Sequence, residues 1–543
     1  MNMLKDYITL LKSEFKGYNK KSLSKDILAG ITVAAVALPL ALAFGVSSGA
    51  DAAAGLITAI FAGFVIGALS GGSFQISGPT GAMTAILVSL LARYGLEGVF
   101  IACFISGIIL LLAGIFKLGG LVSFIPTPVI TGFTSGIAII IALGQIDNLS
   151  GLKGTGLNTI AKITSYFTTP QTINIVALII GISVIIFMCL YPKKLNQYCP
   201  ASLMAIILAT IVNAIFELPV TIVGEIPRTI FLDNRLNLAL INLDKVTDLI
   251  VPAISIAALG LIESLLCGAS AGRMKNEKLN ADQELIAQGI GNMIIPFFGG
   301  VPATAAIART SVAIKSGCQT RLTSVFHSIV LLLSMFLLGP IMSIIPLSAL
   351  AGVLIVTAWR MNEWHIIKDI FKKKLKTAIF QFLITMAATV VFDLTIAILI
   401  GILFSIIMFV VKVSDMQVTL SDVDKNKFAD QSKYSKGYDK TLVAYITGPL
   451  YFGTSNKLEE KLPCSTDKDI IILSMRGVPF ADISGVQALS ELCERLSSNN
   501  IQIYFSCVQP SVMEMFERCG MKQKLGEDKF FWSTDRVLDY IGA

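Results

Sequence analysis

From residue 27 to residue 413 the chain alternates long apolar runs with short polar gaps. Fourteen runs read as membrane-spanning helices: 28–47, 53–71, 79–92, 98–116, 123–146, 172–191, 200–216, 249–271, 284–298, 303–315, 323–339, 341–358, 377–392 and 394–412. A helix needs roughly 20 apolar residues to cross a bilayer, and the third and tenth runs are the short ones. A very tight turn at Asp393 separates the last two. Beyond about residue 414 the period changes. Leu442 to Thr447, Asp469 to Met475 and Ile501 to Ser506 read as strands. Val486 to Leu496 and Ser511 to Gly520 carry apolar residues at helical spacing. Strands alternating with helices predict a small α/β domain of about 100 residues. The stretch 414–438, rich in Asp, Lys and Ser, reads as a linker.

Composition agrees with this division. The chain is 54% hydrophobic and 15% charged, with mean hydropathy +0.75, where a soluble globular protein carries about 25% charged residues. The expected organisation is a basic N-terminal arm (1–26), a membrane domain (27–413), the linker (414–438) and a cytoplasmic α/β domain (439–543). The arm carries Lys5, Lys12, Lys16, Lys20, Lys21 and Lys25, and reads as a cytoplasmic segment with an interfacial helix rather than a cleaved signal. If the arm is cytoplasmic, gaps after even-numbered spans should be basic. They hold Lys117, then Lys193 and Lys194, then Arg273, Lys275 and Lys278, then Lys315 and Arg321, then Lys372, Lys373, Lys374 and Lys376. Arg228, Arg235 and Lys245 fall on the other side. An even count places both termini in the cytoplasm.

Other chemistry is thin. Nine cysteines without paired spacing and two histidines offer neither a disulfide framework nor a metal site. The +7 net charge comes from lysines flanking the membrane runs and does not suggest nucleic acid. No nucleophile–base constellation points to an enzyme, and no cofactor is expected.

Glu263 is the only ionisable residue in the apolar run 249–272. A carboxylate near mid-membrane costs roughly 2.5–3.5 kcal/mol on insertion scales, so it usually faces a cavity and acts there. The bland alternative is a glutamate near a helix end that reaches water. Two interrupted segments stand out beside it: Ser77-Gly-Pro-Thr-Gly-Ala-Met-Thr84 and Gly299-Gly-Val-Pro-Ala-Thr-Ala-Ala-Ile-Ala-Arg-Thr310. They open the third and tenth runs, the third position in each set of seven. Paired Gly/Pro-broken spans in two halves mark a transporter site, because a helix starting mid-membrane exposes free N–H groups and the positive end of its dipole. Ordinary kinks are the alternative. Arg309 could hold an anion, pair with Glu263, or reach the membrane surface. Pro39 should break the first span and free backbone groups toward a cavity. In the soluble domain Asp482 or Ser484 can cap a helix, with regulation through Ser484 as the other reading.

These residues resemble the SulP anion permeases, the family that includes prestin, pendrin and the cyanobacterial bicarbonate transporters. The resemblance covers nearly the whole chain. It rests on Ala37-Leu-Pro-Leu-Ala-Leu-Ala-Phe44, Ile76-Ser-Gly-Pro-Thr-Gly81, Gln288-Gly-Ile-Gly-Asn292, Phe298 to Thr310 and Asp482-Ile-Ser-Gly485, the last similar to a STAS-domain signature. It implies two inverted repeats of seven spans, split into a core (spans 1–4 and 8–11) and a gate. It also implies elevator-like alternating access, usually as a homodimer, in the cytoplasmic membrane of a bacterium. Carried over by position, the substrate site would comprise Phe44, Thr80, Gly81, Ala82, Met83, Cys267, Ala305, Ala306, Ile307, Ala308 and Arg309, with Glu263 beside them. The sodium-coupled bicarbonate members carry Asp where Glu263 stands and Thr where Cys267 stands, and lack a match to Arg309. Glutamate with arginine is more similar to proton-coupled bacterial members associated with dicarboxylates or sulfate.

The expected function is therefore proton-coupled symport of sulfate or a small dicarboxylate, with Glu263 as the proton carrier. The alternatives are a sodium-coupled bicarbonate transporter, an uncoupled exchanger or channel, and a membrane sensor reporting through its soluble domain. The expected partners are a small anion, protons rather than sodium, membrane lipid and a second copy of the chain.

Overall fold

The computed structural model describes residues 3–154, 159–168, 172–192, 194–197, 199–237, 243–392, 394–414, 416–423, 438–462 and 467–542. The chain forms two compact units, Met1–Leu403 and Phe404–Ala543.

In the first unit α1 is Met3–Glu14, α2 Lys20–Ser47 and α3 Ala52–Phe61, which passes through a π-helical turn (Ala62–Ile66) into α4 (Gly67–Leu69). Strand β1 (Ser77–Gly78) precedes α5 (Gly81–Ile115), followed by α6 (Thr127–Gly144), α7 (Ile146–Ser150), α8 (Thr159–Thr168), α9 (Ile175–Leu190) and α10 (Ala201–Phe216). The second half holds α11 (Leu243–Lys275), α12 (Ala281–Ile294), strand β2 (Thr304–Ala305), α13 (Ile307–Lys315), α14 (Leu322–Ser343), α15 (Leu347–Met361), α16 (Trp364–Lys372) and α17 (Lys376–Val391). Helix α18 (Leu394–Val413) contains the boundary between the units.

Among the described residues six helices are long and apolar enough to cross a membrane, and five shorter helices are also apolar. Large apolar side chains stay exposed on them, Leu190 and Leu337 among them, as lipid-facing positions should. Helix α5 is two helices joined at Gly95, whose φ of 69° and ψ of −178° suit glycine and almost no other residue. The third and fourth expected spans meet there. The expected turn at Asp393 lies outside the described residues.

Packing separates two groups. Helix α5 lies against α11 and α12, and α2 against α3 and α14. Helix α6 lies against α17, and α15 against α9. These are the core and gate groupings, with α15 and α6 touching α2 and α5 between them. Close approach inside the core needs glycine. A Cβ on Gly55 would lie 2.1 Å from the Ala41 carbonyl of α2.

One expectation is corrected here. Helix α2 runs unbroken through Pro39. Proline removes one backbone hydrogen bond, and the tight α2–α3 packing around it keeps the helix continuous. One face of the N-terminal helix is held by polar contacts within the same unit. Tyr7 donates to the Ala68 carbonyl at 2.6 Å, and Glu14 accepts from Arg321 Nε and Nη2 at 2.9 and 2.7 Å, both side chains buried. Further along, Asp26 accepts from Gln319 N, Thr320 N and the Thr320 and Thr323 hydroxyls. The arm is thus bound to the start of α14.

The second unit is a five-stranded sheet in the order β3–β4–β5–β6–β7. Its strands are β3 (Gln417–Asp422), β4 (Thr441–Thr447), β5 (Ile470–Gly477), β6 (Gln502–Ser506) and β7 (Phe530–Phe531). β3 pairs antiparallel with β4, and the other neighbours are parallel. Helices α19 (Ser455–Lys461), α20 (Ile483–Ser498), α21 (Pro510–Arg518), α22 (Met521–Leu525) and α23 (Thr534–Gly542) complete it. β4, β5, β6, α20 and α21 lie where the period placed them. β3 falls inside the expected linker. It is an edge strand with mostly exposed positions, so its sequence carries no core-facing stripe.

Candidate functional site

The two interrupted segments meet. Ser77 and Gly78 pair antiparallel with Ala305 and Thr304, so α5 and α13 leave one crossing in opposite directions. Each helix begins later than its apolar run, because the first residues of the run are extended. Thr80 is the N-cap of α5, in a β conformation, and its hydroxyl accepts from the Met83 N–H at 3.4 Å. Ala306 is the N-cap of α13 and offers no side-chain oxygen. Among the described residues the N–H groups of Gly81 and Ala82, and those of Ile307, Ala308 and Arg309, have no acceptor.

Glu263 of α11 sits against this crossing. Its Oε2 accepts from the Thr80 hydroxyl at 2.8 Å and the Thr304 hydroxyl at 2.5 Å, one from each segment. The two hydroxyls lie 3.2 Å apart. Oε1 has no partner among the described residues, and the side chain is only partly buried. One turn on, Cys267 is fully buried and its thiol donates to the Thr310 hydroxyl at 3.4 Å. That hydroxyl also accepts from the Ile76 N–H.

Arg309 lies in the first turn of α13 and is 1% exposed, so it does not reach the membrane surface. Nη2 donates to the Pro79 carbonyl at 2.7 Å, and Nη1 has no partner. It makes no ion pair with Glu263. Its guanidinium lies over Gly78, where a Cβ would be 2.4 Å from Nη1. The arginine of one broken segment therefore ties down the backbone of the other.

A cavity of about 630 Å³ adjoins the crossing, within the size range of small-ligand sites. Phe44 of α2 and Gly81 of α5 line it, as do Thr84, Arg93, Gln145, Lys162 and Asp248. Lys162 is paired with Asp147 at 2.6 Å. Arg93 has no acidic partner among the described residues. Of the other expected site residues, Ala82, Met83 and Ala305 are buried and do not line the cavity. Ala306 is partly buried, Ile307 (45% exposed) and Ala308 are exposed, and neither they nor Glu263 line the cavity.

Behind the crossing a polar network holds it in place. Gln288 Nε2 donates to Ser77 Oγ and to Glu284 Oε1. Glu284, fully buried, also accepts from Ser70 Oγ at 2.6 Å and the Gly71 N–H at 3.0 Å. Asn292 clamps Ala303 through both its N–H and its carbonyl. Sequence reasoning did not assign Thr304, Glu284 or the cavity wall. Gln288 and Asn292 bracket the Gln288-Gly-Ile-Gly-Asn292 motif, the one signal that could have pointed to the network.

In the second unit Asp482 caps α20. Its Oδ1 accepts from the Gly485 N–H at 2.7 Å and Oδ2 from the Phe452 N–H at 3.2 Å. A Cβ on Gly485 would lie 2.4 Å from the Leu450 carbonyl. The motif is a helix start packed against a neighbouring loop, with Ser484 exposed in the first turn.

Residues 23–388 match the sulfate permease family, and residues 434–536 match the STAS domain. The chain belongs to the sulfate permease family. It is 35% identical over 537 residues to the "Putative sulfate transporter YvdB" of Bacillus subtilis (strain 168), covering 96% of this chain and 98% of that one. The solved transmembrane domain of a cyanobacterium bicarbonate transporter, BicA, is 27% identical with a TM-score of 0.64, covering 72% of this chain and 98% of that one. The solved structure of SLC26A9 is 18% identical and gives a TM-score of 0.82 over 100% of this chain and 94% of that one, a likeness of fold. The crossing of this family member thus lies within the matched region, and α20 with its Asp482 cap within the STAS domain.

Proposed function

We propose that the chain is a secondary active transporter that carries sulfate or a small dicarboxylate together with a proton. It is an anion transporter of the sulfate permease family; substrate and coupling are the proposed part. The carrying observation is Glu263. Both threonine hydroxyls donate to Oε2, which leaves Oε1 free to take a proton without breaking either bond. A carboxylate beside an anion repels it, and a protonated one does not. Protonation and anion binding therefore favour one another, and the two cross together. The free N–H groups at the start of α5, next to Phe44 and Gly81 in the cavity wall, supply the anion's partners. The likeness to YvdB supports sulfate as the substrate to try first.

Elevator-like movement of the core against the gate suits this arrangement. The β1–β2 pairing and the Arg309–Pro79 bond couple both half-helices into one body. On this reading the membrane part counts fourteen spans, the chain works as a homodimer in a bacterial cytoplasmic membrane, and both termini face the cytoplasm. The likeness to BicA favours a second reading, bicarbonate transport with sodium.

Uptake of radiolabelled sulfate into proteoliposomes tests the choice. Accumulation driven by an inward proton gradient is expected. Uptake that ignores protons but follows a sodium gradient, with bicarbonate competing, would select the second reading.

A further inference from the structure

Helix α16 is short, strongly amphipathic and placed between two apolar helices, α15 and α17. Ile370 is buried beneath it, while Lys368, Phe371 and Lys372 are exposed. Lys373, Lys374, Leu375 and Lys376 continue the exposed surface into the start of α17. From 364 to 376 the sequence holds five lysines and one acid, Asp369, a balance of +4. Asp369 pairs with Lys373 at 3.2 Å. Lys368, Lys372, Lys374 and Lys376 have no acidic partner among the described residues. Glu363, just before the helix, accepts a hydrogen bond from Thr131 instead. An aromatic pair closes the other end. The rings of Trp359 and Trp364 lie 4.4 Å apart, and the Trp364 Nε1–H donates to the Trp359 carbonyl at 3.0 Å. Trp359 is 64% exposed.

We propose that α16 and the lysines after it form a docking surface for the headgroups of anionic phospholipids. The flanking apolar helices fix its depth at the membrane boundary. Tryptophan settles at that boundary because one side of the ring is apolar and the N–H is polar. Exposed Phe371 and Leu375 reach the acyl side, and the lysines extend their amines toward phosphate. The charge matches one occupant: a row of unpaired amines at headgroup height meets a negatively charged leaflet. The inference does not depend on which anion the chain transports.

Tryptophan quenching by brominated lipids tests it on the full chain in nanodiscs. A Trp532→Phe background leaves Trp359 and Trp364 as the reporters, since the chain has three tryptophans. Brominated phosphatidylglycerol should quench about threefold or more better than brominated phosphatidylcholine at equal mole fraction. Replacing Lys368, Lys372, Lys374 and Lys376 with Gln should equalise the two lipids, while replacing them with Arg should keep the preference. Removing Lys5, Lys12, Lys16 and Lys20 of the arm should leave it unchanged. Equal quenching by both lipids in the unaltered chain would overturn the proposal. So would a preference abolished by millimolar glycerol phosphate, which would make the surface a site for soluble phosphates.

Discussion

The two broken segments start from the same device and use it differently. Both are extended where they cross, and both start a helix within three residues of the crossing. The first is capped by Thr80 and opens onto the cavity at Gly81. The second is capped by Ala306, which bonds nothing through its side chain, and its exposed Ile307 and Ala308 do not line the cavity. It contributes Arg309, which crosses over to the first segment's backbone, and Thr304, which holds Glu263. The proposed function divides a pair of half-helices that look equivalent in sequence between binding and bracing. On the proposed reading the first helix end faces the ligand, and the second fixes the position of the first and of the carboxylate.

Substitutions can break or sharpen this division. Arg309→Met should have the largest effect, because it strands the Pro79 carbonyl and removes a charged hydrogen bond worth about 1.5–3 kcal/mol. Thermal unfolding of the purified protein should move down, and uptake should be lost even at high anion concentration. Gly78→Ala forces a methyl group against the same guanidinium and should cost about 1 kcal/mol or more, with uptake reduced in the same way. If either change altered only the apparent affinity, Arg309 would be a ligand for the anion and not a brace.

Smaller effects separate the two caps. Both Thr80→Val and Thr304→Val remove a bond to Glu263 and the contact between the two hydroxyls, and Thr80→Val also removes a helix cap. The first should therefore lower stability by about 0.5–2 kcal/mol more than the second. Ala306→Ser adds the missing cap and should raise stability by about 1 kcal/mol. If α13 only braces, this change leaves the KM for sulfate unaltered, and a raised KM would show that its free N–H groups also meet the anion. The smallest effect concerns the second unit. Burial pushes the Cys493 thiol up to about 12 from its ordinary value of 9.0. The folded state thus holds this proton more tightly than the unfolded state. Its contribution to stability is complete below pH 9 and fades as pH rises toward about 12. At pH 8 a maleimide should modify Cys519, which is exposed, and leave Cys493 intact until the domain unfolds.

Much of the fold was legible because a membrane demands a simple pattern. Apolar runs of spanning length mark helices directly, and Gly and Pro mark where they break. The α/β domain was legible for its central strands, whose buried positions form short, mainly apolar runs such as Leu442 to Ala444, Ile471 to Leu473 and Ile503 to Phe505. β3 was not, because an edge strand with exposed positions has no such run. In the site, Glu263 stood out as a lone charge in an apolar run, and its place at the crossing follows from that. The role of Arg309 could not be read, because a buried arginine can neutralise an anion, a carboxylate or a backbone carbonyl, and only packing decides. Thr304 was invisible for a related reason: one hydroxyl among small residues has no signal until the β1–β2 pairing brings it to Glu263. Pro39 misled, because a proline's cost to a helix can be offset by the packing around it.

The most direct test of the account is sulfate uptake by Glu263→Gln in proteoliposomes, beside the unaltered protein, with and without an inward proton gradient. The amide keeps the shape and the bonds to Thr80 and Thr304, and removes the proton site. The account predicts that the variant still binds sulfate and exchanges it across the membrane, yet no longer accumulates it when the gradient is applied. A variant that accumulates sulfate on the gradient as well as the unaltered protein does would contradict it.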